Sequence, residues 1–280
     1  MLERRHIQRV VDMALEEDAP FGDLTSQTLV PAGAVAHADL VAREPGVLAG
    51  VEVFVVAMTT LDPSVKVAFH AADGDRFDKG AVLANVVGPA RAVLQAERVA
   101  LNLVQRMTGI ATLTATYVAA VAGTKARVVD TRKTTPGLRA LERHAVRCGG
   151  GHNHRYSLSD AVMAKDNHLA VVDDITAALK KAAAELPHTT HIEVEVDRLD
   201  QLDAVLDSGA AHTIMLDNFS LDDLRAGVAR IGDRTFVEAS GGITLDTIGE
   251  IARTGVDVIS VGALTHSVRA LDLGLDIAVS

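Results

Sequence analysis

The run DTRKTTPG (130–137) places Arg132 beside Lys133 in a chain whose formal net charge is -10. Between residues 130 and 168 there are seven Lys or Arg and four Asp or Glu, a local excess of +3. Part of this charge belongs to helix spacing: Arg139, Glu142, Arg143 and Arg147 are expected to form a solvated helix face. Arg132, Lys133, Arg155 and Lys165 fit no single helix face. Arg132, Lys133 and Lys165 fall at or just past strand ends, and Arg155 lies just beyond the turn Gly149-Gly150-Gly151. Planar guanidinium groups suit carboxylates and ammonium groups suit phosphates, so the chemistry indicated is recognition of an anionic ligand. A run of glycines adds backbone N–H groups that can line an anion.

Two later loops carry the same signal. EASGGIT (238–244) leaves a strand through Ser240, Gly241 and Gly242, and SVGALTHS (260–267) does so through Gly262. Phosphate commonly sits between late strands of a parallel barrel, at a helix N-terminus. Opposite in sign are Glu195 and Asp217, an acidic pair suited to Mg²⁺, a hard ion held by few carboxylates plus substrate phosphates. Any single acid can equally be the structural partner of an arginine. Zinc is less favoured, because the histidines lack HxxxH spacing and His152 and His154 are two apart in a Gly-rich turn.

The elements that must position these residues follow from periodicity. From about residue 125, β-rich runs alternate with amphipathic helical runs. Strands are predicted at 126–131, 161–166, 191–196, 213–217, 235–240 and 256–262. Helices are predicted near 137–147, 173–185, 198–208, 220–230 and 245–254. Repeated βα units imply parallel strands with right-handed crossovers. Six strands fall short of the eight of a complete barrel. The expected fold is therefore α/β, with an incomplete, open parallel α/β barrel; a doubly wound open sheet is the alternative. No GxGxxG or GxxxxGK[ST] follows a strand, which disfavours a dinucleotide fold. The strand ends deliver Asp130, Lys165, Glu195, Asp217, Ser240 and Gly262 to one mouth, with Asn167 and His168 in a following loop. Strand parity turns Glu193 and Glu195 inward and puts Glu238 on the face of Ser240.

Residues 1–90 read as α+β around a small sheet, with helices at 6–18 and 51–61 and strands at 35–43 and 65–71. A long helix is predicted over 91–106. The expected domains are residues 1–108, joined by 270–280, and 109–269.

Composition narrows the classes. Hydrophobic residues make up 48 % of the chain, enough for a substantial core. The acidic balance argues against nucleic-acid and anionic-membrane partners, and aromatics at 3 % with no Trp give no base-stacking platform. Cys148 is the single cysteine, which excludes an internal disulfide and a Cys-rich metal site. No run of 18 apolar residues occurs and the N-terminal stretch does not read as a signal peptide, so a cytoplasmic location is expected.

Together, DTRKTTPGLR, GGGHNHR, AKDNH, EVEV, LDNF, EASGGI and SVGALTHS resemble the quinolinate phosphoribosyltransferases (nicotinate-nucleotide pyrophosphorylase, carboxylating). GDLTS (22–26) extends the resemblance into the first domain. It implies an N-terminal α+β sandwich domain joined to an open barrel, in a cytosolic homodimer with Mg²⁺ as cofactor. The implied substrates are quinolinate and phosphoribosyl pyrophosphate, converted to nicotinate mononucleotide, pyrophosphate and CO2 in NAD biosynthesis. By the same resemblance, Arg132, His154 and Arg155 hold the quinolinate carboxylates, with Arg106 joining them from the neighbouring subunit. Lys133 and Lys165 face both substrates and act in catalysis with Glu195 and Asp217, which handle the ribose and metal. Ser240, Gly241, Gly242 and Gly262 surround the phosphate. Ser157 replaces the family's usual glycine, so a need for positive φ there would alter the loop; Ala164 replaces a larger aliphatic. Two other readings remain: the family's molybdenum-transport-associated paralogue, and a non-catalytic anion sensor on the same fold.

Overall fold

The computed structural model describes residues 2–165, 168 and 171–279. The strands are β1 (Val35–Ala42), β2 (Gly46–Val47), β3 (Lys66–Phe69), β4 (Arg76–Phe77), β5 (Val82–Pro89), β6 (Arg127–Val129), β7 (Val162–Ala164), β8 (Ile192–Val196), β9 (Thr213–Asp217), β10 (Phe236–Ser240), β11 (Val258–Ser260) and β12 (Leu273–Val279). The chain divides into two compact units: residues 1–115 with 134–150 and 264–280, and residues 116–133 with 151–263.

The first unit is built on an antiparallel sheet of order β12-β1-β5-β3, with β2 and β4 as a separate pair. Helix α1 (Arg4–Asp18) buries Ile7, Val10, Val11 and Leu15, the one-sided spacing of an amphipathic helix. Helix α2 (Leu24–Leu29) starts within GDLTS, where the Asp23 side chain accepts the N–H groups of Thr25 and Ser26. Helix α3 (Val51–Thr60) is nearly apolar throughout and buries Val53, Phe54, Val56, Ala57 and Met58.

Helix α4 (Ala90–Ala120) extends well beyond the predicted end at 106. It passes through Gly109, where a Cβ would come within 2.2 Å of the Arg269 carbonyl oxygen. Glycine is here a requirement of close backbone approach, not a helix stop. Helix α5 (Arg139–Cys148) corrects a second expectation. Its Glu142 is buried, not part of a solvated face, because it accepts from Arg106. Strands β5 and β12 were not anticipated from the sequence; β12 brings residues near the C-terminal end alongside β1.

The second unit carries a six-stranded parallel sheet of order β6-β11-β10-β9-β8-β7, the open barrel expected, with β6 and β7 as its edges. Val128, Ile192, Val194, Val196, Ile214, Leu216, Val237, Ala239 and Ile259 are buried along it. The residues between them alternate to the other side of the sheet, and these carry the polar chemistry.

Candidate active site

A cavity of about 380 Å³ in the second unit is lined by Thr131, Arg132, Lys133, His154, Arg155, Met163, Lys165, Glu195, Met215, Asp217, Ser240 and Ser260. Eight residues singled out in the sequence thus meet in one place. Four cations face two carboxylates there, before His154 is considered. The period of two explains the convergence: Met215 and Asp217 share a face of β9, as do Glu238 and Ser240 on β10.

Asp130 organises the basic side. It is fully buried at the end of β6 and accepts from the Asn153 side chain at 2.6 Å and the His154 N–H at 2.8 Å. His152 bonds the backbone of Val128 and Asp130, so GGGHNHR runs alongside β6 and brings His154 and Arg155 into the cavity. Arg155 is steadied by its Nη1 bond to the Ala161 carbonyl at 3.0 Å. Burial, and then the charge of Arg132, lower the Arg155 pKa. Two guanidinium groups that disfavour each other present a demand for an anion.

His154 is held on both sides. Its Nε2 lies 3.1 Å from Glu193 and 3.5 Å from Glu238, and its Nδ1 accepts the Arg155 N–H at 2.7 Å. Burial works against a charged ring, but hydrogen bonds and charge from the two glutamates outweigh it and raise the pKa to about 10. With Nδ1 accepting, the ring proton sits on Nε2, directed at Glu193 and Glu238. Burial raises Glu193 as well. These three residues lie on a second cavity of about 420 Å³ in the same unit, also lined by Arg127, His152 and His191.

On the acidic side, Lys165 Nζ forms an ion pair with Glu195 Oε2. Asp217 accepts from Asn218 Nδ2 at 2.6 Å. Asn218 has φ 58, and its N–H donates to the Ser240 carbonyl at 2.9 Å. A Cβ on Gly241 (φ +90) would fall 2.2 Å from Asn218 Oδ1. The LDNF and SGG turns therefore interlock, and Gly241 is fixed by both its φ and its space. Gly242 also has positive φ, at 62. Gly262 follows Ser260 at the end of β11.

Arg106 is placed in the first unit. Its Nε and Nη2 donate to Glu142 Oε1 at 2.8 and 2.6 Å, and Nη2 also bonds Thr135 Oγ1 at 2.7 Å. Asn167 lies outside the described residues. Ser157 does not have positive φ; its hydroxyl bonds Asp160 at 2.6 Å, so the loop needs no glycine there. Sequence reasoning assigned no role to Asn218, Thr131, Met163 or Ser260. Ser260 is buried with no hydrogen-bond partner for its hydroxyl among the described residues, and it sits two residues before Gly262, where parity could have found it.

The family model described as "Quinolinate phosphoribosyl transferase, C-terminal domain" matches residues 110–276, and its N-terminal counterpart matches 23–108. The nicotinate-nucleotide pyrophosphorylase (carboxylating) of Mycobacterium leprae is 48 % identical over 273 residues, covering 94 % of each chain. The probable enzyme of that name from Bacillus subtilis is 42 % identical over 274 residues, covering 98 % of this chain and 94 % of its own. A crystal structure of NadC from Streptococcus pyogenes superposes with a TM-score of 0.95 at 39 % identity, covering 100 % of this chain and 98 % of that one. With both domain models matched in order and relatives this similar over nearly the whole length, the chain belongs to the quinolinate phosphoribosyltransferase family.

Proposed function

We propose that this protein transfers the phosphoribosyl group of phosphoribosyl pyrophosphate to the ring nitrogen of quinolinate. The products are nicotinate mononucleotide, pyrophosphate and CO2. The observation that carries the reading is the cavity in which Arg132, Lys133, Arg155 and Lys165 face Glu195 and Asp217. A dicarboxylate and a polyphosphate are the two kinds of ligand that such a lining favours together.

Arg132 and Arg155 hold the two carboxylates of the pyridine ring, beside His154. Lys133 and Lys165 attract the phosphates and neutralise charge as pyrophosphate departs. Ser240, Gly241, Gly242 and Gly262 take the sugar phosphate through hydroxyl and backbone N–H groups. As the C1–pyrophosphate bond breaks, positive charge grows on the ribose, and the carboxylates of Glu195 and Asp217 stabilise it. The nitrogen lone pair forms the new bond. The resulting pyridinium is an electron sink, so the C–CO2 bond adjacent to it breaks without a strong base, and the ring carbon takes a proton.

Glu195 directs one oxygen to Lys165, and Asp217 directs one to Asn218. Among the described residues each keeps a second oxygen to offer, a hard donor set that fits Mg²⁺ with water and phosphate completing its shell. When bound, Mg²⁺ would supply charge neutralisation for the leaving pyrophosphate. We further propose a cytoplasmic homodimer in which Arg106 completes the site of the partner subunit. Among the described residues no helix is long and apolar enough to cross a membrane. The deciding experiment supplies purified protein with quinolinate, phosphoribosyl pyrophosphate and Mg²⁺ and measures pyrophosphate and CO2 together. Release of neither overturns the assignment.

A further inference from the structure

In the first unit, the side chains of Asp73, His144 and Cys148 converge so that one ligand atom from each lies within 4.8 Å of the others. His144 and Cys148 are four residues apart on α5, so they project from one face of that helix. His144 Nε2 lies 2.7 Å from Asp73 Oδ2. The other oxygen of Asp73, Oδ1, accepts the N–H groups of Gly50 at 2.8 Å and Val51 at 3.0 Å, at the start of α3. All three groups are half-buried; the side chains of His144 and Asp73 are 29 % and 24 % exposed.

We propose that Asp73, His144 and Cys148 form a binding site for one Zn²⁺ ion, with water as the fourth ligand. One thiolate, one imidazole and one carboxylate form a borderline-soft donor set that suits Zn²⁺ and does not suit Mg²⁺. The carboxylate is oriented from outside by two backbone N–H groups, the supporting arrangement that ligating carboxylates ordinarily have. Tetrahedral zinc with bonds of about 2.0 Å separates its N and O ligand atoms by roughly 3.3 Å. The present His144–Asp73 contact must therefore widen by roughly 0.6 Å, which rotation of a partly exposed imidazole supplies. On binding, the imidazole moves its proton to Nδ1 and the thiol releases its proton to solvent.

The metal-free thiol is not a reactive cysteine. Burial, and then the charge of Asp73, push Cys148 up to about 12. A nucleophile needs the thiolate at neutral pH, so this cluster does not read as a Cys-His-Asp catalytic arrangement. A divalent ion reverses the sign of the local field and makes the thiolate the favoured form. The site also has a structural consequence. The ion joins the start of α3 to the last residue of α5, directly before Gly149-Gly150-Gly151. That turn leads along the chain to His154 and Arg155.

The test titrates Co²⁺ into the full-length protein in excess Mg²⁺, which occupies oxygen-only sites. The expected result is a thiolate-to-cobalt charge-transfer band that saturates at one equivalent and is displaced by Zn²⁺. Cys148→Ser should abolish the band. Asp73→Asn and His144→Asn should each weaken binding by roughly tenfold or more. No band in the unaltered protein overturns the proposal, and that titration does not depend on whether any variant folds. A band equally strong in both Asn variants also overturns it, since the thiolate is then binding metal without this cluster. The readout is independent of turnover, so it stands or falls apart from the phosphoribosyl transfer reaction.

Discussion

Removing Arg106 should unbalance the first unit in a calculable way. Glu142 is 1 % exposed, whereas Arg106 is 29 % exposed, and two of its guanidinium bonds go to Glu142 Oε1. Among the described residues, the other carboxylate oxygen receives the Thr135 N–H at 3.2 Å. Arg106→Ala leaves a buried carboxylate with that one long bond. It also removes the donors to Thr135 Oγ1 and to the Thr265 carbonyl. Breaking a buried ion pair from one side costs about 3–5 kcal/mol. Because water can reach the site through the space the arginine vacates, the lower end applies, about 3 kcal/mol, or roughly 6–10 °C in the midpoint of thermal unfolding. The diagnostic variant is the double replacement Arg106→Met with Glu142→Leu. It removes both charges and keeps apolar volume, so most of the loss should be recovered. Scanning calorimetry at neutral pH on wild type, Arg106→Met, Glu142→Leu and the double completes the cycle, with Arg106→Ala measured beside them. A loss below about 1 kcal/mol for Arg106→Ala, or a double variant less stable than either single, refutes the reasoning.

Arg132→Lys keeps the charge but loses the planar fork; quinolinate affinity should fall by about 2 kcal/mol or more, and equal binding would reduce the contact to diffuse charge. Asp217→Asn should impair Mg²⁺-dependent use of phosphoribosyl pyrophosphate with quinolinate binding nearly unchanged, as measured by turnover and by equilibrium titration; unaltered turnover rules out its role. Gly241→Ala must place a Cβ at φ +90 against Asn218, so folding stability and turnover should both drop; a neutral result contradicts the interlocked turns. The raised His154 pKa contributes stability that is fully present below the ordinary 6.5 and is lost as pH rises through about 10. Glu238→Gln removes one carboxylate and should move the loss to lower pH, read from the imidazole proton resonances; an unmoved titration refutes the part given to Glu238. Subunits carrying Arg106→Lys and Lys133→Ala, each inactive alone, should regain about a quarter of wild-type activity when mixed and refolded, provided Arg106 serves the partner's site; a mixture that stays inactive refutes sharing.

What was legible in the sequence is what period and strand ends encode. Asp217 and Ser240 close their strands and Glu195 stands one residue before the end of β8, each alternating with buried aliphatic neighbours, so their common cavity follows from βα repetition and parity. Asn218 lies within LDNF, but nothing in that motif states its task, because the task depends on space. Only the approach of Gly241 makes its left-handed backbone and its bond to Asp217 intelligible.

The misread residues share a different cause. Arg139, Glu142, Arg143 and Arg147 do have the spacing of a charged helix face, and nothing local distinguishes Glu142 from its neighbours. Its burial is decided by Arg106, 36 residues away on α4. The helix predicted over 91–106 runs on to Ala120 as α4, through Gly109, which lies against the Arg269 backbone. Zinc was disfavoured because no two histidines had ligand spacing. The His144–Cys148 pair has that spacing on a helix, but its third partner, Asp73, sits in a turn 71 residues earlier. In each case one partner was visible and its meaning was supplied by a group distant in sequence. A buried charge, a close-packed glycine and a metal site are all properties of a pair or a trio. Periodicity reports only which side a residue faces, and the identity of what it faces comes from the fold.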